Sequence, residues 1–120
     1  MARSMVDAST DPDEFTLSKV TRDGCEVVTL AGELDLVNAA RVSDTLDSVT
    51  SGPHKVVVDL TELTFIDSSG IHAILAPRAG QQGIVIVCPP GNVRRVFDVT
   101  RIDQVVPLYE TLDEAIAELG

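Results

Sequence analysis

The chain has 120 residues, with 19 acidic against 9 basic side chains, a formal net charge of -10, and 44% apolar content but only 3% aromatics and no tryptophan. That length suits one domain with a real core and is too short for two. The negative charge opposes binding to DNA, RNA or anionic lipid, and the scarcity of aromatics argues against a stacking site for bases or sugars.

Residues 1–13 are polar, carry Pro12 and have no periodicity, which predicts a flexible lead-in without the apolar core of a signal peptide. From Phe15 the alternation of apolar and polar residues, the turn-like Arg22-Asp23-Gly24 and the run from Cys25 to Ala31 predict a β-hairpin. Gly32-Glu33-Leu34-Asp35 reads as the break that ends the second strand. Val42, Leu46 and Val49 at helical spacing predict a helix from about Asn38 to Val49, closed by Ser51-Gly52-Pro53. Val56 to Leu60 is β-branched and nearly uncharged, as a strand buried on both faces would be.

Beyond Asp67-Ser68-Ser69-Gly70, the spacing of Ile71, Ile74 and Leu75 predicts a second helix, and Pro77, with Gly80 and Gly83, predicts that it kinks or ends early. Ile84 to Cys88 is another fully apolar strand, so strand, helix and strand form a βαβ unit with parallel pairing. Pro89-Pro90-Gly91 then opens a helix carrying Val93, Val96 and Phe97, and a short strand is expected at about Val105 to Leu108. Thr111-Leu112-Asp113-Glu114 is a capping box for a last helix that buries Leu112, Ala115, Ile116 and Leu119. The predicted order is ββαβαβαβα, without internal repeats or a transmembrane stretch.

Little in this pattern suggests catalysis. His54 and His72 lack neighbours at metal-ligand spacing, two cysteines in apolar runs make neither a zinc site nor a disulfide framework, and no glycine-rich phosphate loop is present. Cys25 and Cys88 read as buried thiols of a reducing compartment, and a cytoplasmic location follows as an expectation. A hydrolase reading would use Ser68 or Ser69 as nucleophile with His72 as base. The surrounding pattern is not a nucleophile elbow, and a histidine on the same helix is poorly aimed for both proton transfers, which leaves His72 as a surface residue. Glu33 and Asp35 read as solvated loop acids. In a parallel arrangement, however, their loop lies at the same sheet end as the start of the second helix, which would join Glu33, Asp35, Asp67 and Ser68 in one docking surface.

Asp67 and the serines are good helix N-cap residues, because their side-chain oxygens accept bonds from the unpaired N–H groups of a first helical turn. The same terminus tolerates an anion, so a phosphoserine there need not disturb the fold.

Taken in order, GELDLVNAAR, VVVDLTELTFIDSSGIHAIL, IVIVCPP and VRRVFDVTRIDQVVPLYETLDEAI resemble the STAS domain of bacterial anti-sigma factor antagonists over nearly all of residues 15 to 118. The resemblance implies an α/β fold, a single STAS domain over residues 14–120 with a mixed β-sheet of about five strands flanked by about four helices. It implies a regulator without catalysis or cofactor of its own. The unphosphorylated form would bind an anti-sigma factor that is also a serine kinase holding ATP or ADP, releasing a sigma factor and its regulon, as in stress response or sporulation. The kinase would phosphorylate the serine directly after the aspartate, here Ser68, and a serine phosphatase would restore the binding form. Partner contacts would fall on Glu33, Asp35, Asp67, Ser68, Ser69 and Gly70, with no direct nucleic-acid or membrane partner. The alternative under the same resemblance is a non-switching STAS scaffold, or a small-ligand or nucleotide-sensing module in a stress-signalling assembly. Two positions depart from the usual pattern: the segment between Gly70 and Ile84 is short and contains Pro77, and Arg101 stands where many members have glycine.

Overall fold

A computed structural model describes residues 14–76 and 83–119. The proposed lead-in at 1–13, Pro77 and Gly80 lie outside the described residues.

Strand β1 (Thr16–Arg22) turns back into β2 (Cys25–Leu34) through a two-residue loop, Asp23-Gly24, in which both residues have positive φ. That geometry matches the twist of the two strands and favours the Asp-Gly pair found there. Helix α1 (Leu36–Thr50), strand β3 (Lys55–Ile66), helix α2 (Ser68–Leu75), strand β4 (Ile84–Val87), helix α3 (Asn92–Val99), strand β5 (Leu108–Tyr109) and helix α4 (Leu112–Leu119) follow. The five strands form one sheet in the order β1-β2-β3-β4-β5, antiparallel between β1 and β2 and parallel elsewhere. The expected α/β architecture and element order are therefore observed.

The sheet is buried on both faces. One face carries Val28, Leu30, Val56, Val58, Leu60 and Ile86, covered by Val42 and Leu46 of α1, Ala73 and Ile74 of α2, and Val93 and Phe97 of α3. The opposite face carries Val27, Val57, Val85 and Val87, covered by Ala115 with Leu112 and Leu119 of α4. Consecutive valines in β2, β3 and β4 thus alternate between two apolar layers, which is why these strands read as continuous apolar runs. Cys25 and Cys88 are free and buried, as expected.

Three boundaries differ from the sequence reading. Gly32 to Asp35 does not break β2, which continues to Leu34, and β3 continues six residues past Leu60 to Ile66. These extensions pair with each other through two register shifts. At the first, Asp59, only 9% exposed, accepts bonds from the backbone N–H and the hydroxyl of Thr61 at 3.0 and 2.6 Å, which explains a buried acid in an apolar strand. At the second, the Thr64 hydroxyl donates to the Gly32 carbonyl at 3.0 Å. Gly32 has φ +92 and leaves no room for a Cβ, because the Glu14 backbone passes over it. The glycine is a feature of a bulged strand, which a linear reading mistakes for a strand end.

The third difference is the last strand. Ile102–Gln104 forms a 3-10 turn, with the N–H groups of Val105 and Val106 both bonded to the Ile102 carbonyl, so pairing begins only beyond it. Pro107 offers a carbonyl to Ile86 but no N–H, and the ladder is confined to Leu108–Tyr109. The capping box of α4 is formed as expected: Glu114 N–H donates to the Thr111 hydroxyl at 3.1 Å while the Glu114 carboxylate accepts from Thr111 N–H at 3.3 Å. Helix α2 ends at Leu75, with Ala76 in an extended conformation (φ -58, ψ 140), the backbone that a following proline imposes.

Candidate functional site

The two bulged extensions carry the site beyond the body of the sheet. Leu34 and Ile66 are register partners at the ends of parallel neighbours, and each is followed by an aspartate and then by a helix. Two helix N-termini consequently emerge side by side. Asp35 caps α1, its carboxylate accepting from Val37 N–H at 3.0 Å, and Asn38 ties the turn down by donating to the Glu33 carbonyl at 3.0 Å. Asp67 caps α2 in the same way, accepting from Gly70 N–H at 3.0 Å, and its own N–H donates to the Leu34 carbonyl at 3.2 Å. That last bond crosses from one strand–helix junction to the other and holds them in fixed relation.

Glu33, Asp35, Asp67 and Ser68, proposed from sequence as one surface, are brought to the same end of the sheet. Ser68 is exposed at the first position of α2, and its hydroxyl has no hydrogen-bond partner among the described residues. Ser69 is half-buried beside it. Gly70 is buried: a Cβ there would lie 2.7 Å from Leu34 Cγ and 2.9 Å from Ile66 Cγ1, so its part in the site is to let α2 sit directly on the strand ends. Asp35 is an engaged cap, whereas the Glu33 carboxylate has no partner among the described residues. His72 is exposed, as expected.

Sequence reasoning missed the apolar members of this surface. Leu36 and Val37 are 75% and 86% exposed, and Phe65, the register partner of Glu33, is 47% exposed. Leu36 and Val37 directly follow an N-cap and fall off the stripe of Val42 and Leu46. That offset was the available signal. Large apolar side chains left exposed at this end of the sheet make it a candidate surface for binding another protein. A groove of about 550 Å³ runs between α1 and α2, lined by Ala39, Ala40 and Ser43 on one side and by Ser68, Ser69 and His72 on the other. A second, of about 380 Å³, lies on the far side of Ser68 and reaches Thr100 at the end of α3.

Among the described residues no group of three or more His, Cys, Asp or Glu side chains is placed to hold a metal ion, and no helix is long and apolar enough to cross a membrane.

A mixed five-stranded sheet with helices on both faces, and a serine opening a helix capped by Asp67 at a strand-to-helix junction, makes this a single α/β domain with a candidate recognition surface. The chain belongs to the STAS domain family, whose model matches residues 16–115. The anti-sigma-F factor antagonist RsfB of Mycobacterium tuberculosis is 29% identical over 109 residues, covering 88% of this chain and 89% of RsfB. The crystal structure of an anti-sigma factor antagonist from Mycobacterium paratuberculosis superposes with a TM-score of 0.80 at 31% identity, covering 90% of this chain and 96% of that one. The Bacillus cell fate determinant SpoIIAA in its phosphorylated form shares the fold, with a TM-score of 0.59 at 21% identity over 89% of this chain and 100% of that one.

Proposed function

We propose that this protein is an anti-sigma factor antagonist that works by partner switching. Its unphosphorylated form binds an anti-sigma factor serine kinase carrying ATP or ADP, which frees a sigma factor, and phosphorylation of Ser68 by that kinase ends the binding. A serine phosphatase resets the cycle, and all of these steps take place in the cytoplasm. The observation that carries the reading is the placement of Ser68: exposed, without a hydrogen-bond partner among the described residues, at the first turn of a capped helix, sharing a groove with Leu36 at the sheet end that also carries Glu33, Val37 and Phe65.

Those neighbours suit a protein partner, with apolar side chains to bury and acids for a basic rim. Phosphorylation adds about -1.5 to -2 charges in the middle of that surface, next to Asp67 and opposite a partner that itself presents nucleotide phosphates. Like-charge repulsion and the lost hydroxyl contact then act against the complex, while the helix N-terminus accommodates the anion. Affinity changes and the fold does not. The arrangement does not suit hydrolysis, because His72 has no carboxylate to orient it among the described residues and lies along the same helix as the serine. The formal charge of -10 opposes a direct nucleic-acid role.

The test is incubation with a cognate anti-sigma kinase and ATP, followed by mass spectrometry of the peptide containing Ser68. Calorimetry with wild-type protein, Ser68→Ala and Ser68→Asp then reads binding. Modification at Ser68 with binding lost in Ser68→Asp supports the switch, whereas binding without modification leaves a scaffold.

A further inference from the structure

The two grooves flanking the candidate site have Ser68 and His72 in common. His72 stands four residues after Ser68, one turn along the same face of α2, and closes the last turn of that helix. It is the single titratable side chain among the described residues lining either groove. The others are Leu36, Ala39, Ala40 and Ser43 from α1, small or apolar residues of α2, and Thr100 from the end of α3. Arg41 and Asp44 of α1 and Arg101 beyond α3 line neither groove, and the Asp67 carboxylate is engaged by Gly70 N–H. The His72 ring has no hydrogen bond or ion pair among the described residues.

We infer that His72 is the intramolecular partner of a phosphoryl group on Ser68, a positioning residue that lays the phosphate along α2. This rests on the reading of Ser68 as the modified residue. An anion at the start of a helix and a cation one turn later is the favourable order of an i,i+4 pair, and each end also matches the helix dipole. With no competing charge among the described residues of either groove, the imidazolium is the group the phosphate meets. Protonated His72 holds the phosphate against the helix, and neutral His72 releases it toward solvent.

The test uses the full chain with phosphoserine installed at position 68 during translation, which needs no kinase. NMR titration of the imidazole resonances is expected to show the His72 midpoint raised by about half a unit relative to unmodified protein, with His54 unmoved. Because the two titrations are coupled, the phosphate midpoint followed by ³¹P NMR is expected to rise by a similar amount in His72→Gln. A His72 midpoint unchanged on phosphorylation, or superimposable ³¹P curves for wild type and His72→Gln, would overturn the inference. A kinase that fails to modify Ser68 would remove the switching reading instead and leave the pair standing.

Discussion

Replacing Gly70 by alanine probes how the serine is held. The added methyl carbon would sit 2.7 Å from Leu34 Cγ, 2.9 Å from Ile66 Cγ1 and 3.0 Å from Leu34 Cδ2. Comfortable carbon contacts begin near 3.5 Å, so the overlap is roughly 0.5–1 Å. Leu34 is fully buried and Ile66 is 5% exposed, which leaves neither free to swing aside. Overpacking of this kind costs typically about 1–3 kcal/mol, and the gain in helix propensity of alanine over glycine returns about 0.8–1 kcal/mol. The net loss is up to roughly 2 kcal/mol, which corresponds to a fall in Tm of up to about 8–10 °C for a domain of this size. Thermal and urea unfolding followed by circular dichroism measures it, with Gly83→Ala as the control, because nothing lies within 4 Å of a Cβ there. Helix α2 would also have to lift from the strand ends, so the amide resonances of Leu34, Ile66 and Ser68 should shift. A Gly70→Ala protein with wild-type Tm and unmoved resonances would refute the claim that this contact seats the helix.

Other consequences are as specific. Asp67→Ala removes the α2 cap and should cost about 1 kcal/mol in denaturant unfolding, with faster amide exchange at Gly70 than elsewhere in the helix. Arg101 adopts a left-handed conformation (φ 61) at the end of α3. Arg101→Gly should be neutral to stabilising by up to about 1 kcal/mol, since relief of the strain, about 1–2 kcal/mol, outweighs the entropy of a glycine. The Cys88 thiol is pushed up to about 11, chiefly by burial, with Arg94 opposing and Asp98 and Asp59 adding to the rise. The folded protein therefore keeps this proton where the unfolded chain has lost it. Stability is lost as pH rises from the ordinary thiol value, 9.0, toward about 11, and the alkaline decline should be shallower in Cys88→Ala.

Much of the architecture was legible in one dimension because the signals are local. Asp23-Gly24 sets its own turn, Thr111 and Glu114 cap the last helix within four residues, and runs such as Val56-Val57-Val58 announce a strand covered on both faces. The motif Asp67-Ser68-Ser69-Gly70 was likewise readable as a capped helix start, and family likeness singled out Ser68 within it. The ends of β2 and β3 were not legible. Gly32 and the polar Thr61, Glu62 and Thr64 look like strand breakers until the partner strand is present, because a bulge exists only as a relation between two chains of hydrogen bonds.

Sequence alone thus determined the class of fold and the helix cap, both of which depend on residue type and short-range periodicity, whereas the choice of Ser68 as the candidate residue came from family likeness. The layout of the candidate site was decided in three dimensions. Pairing Leu34 with Ile66 sets two Asp-capped helices side by side, and that register brings Glu33 beside Phe65 and the starts of α1 and α2, with Leu36 and Ser68, to one end of the sheet. Segments more than thirty residues apart meet there because parallel neighbours must end together before their helices turn back over the same face of the sheet.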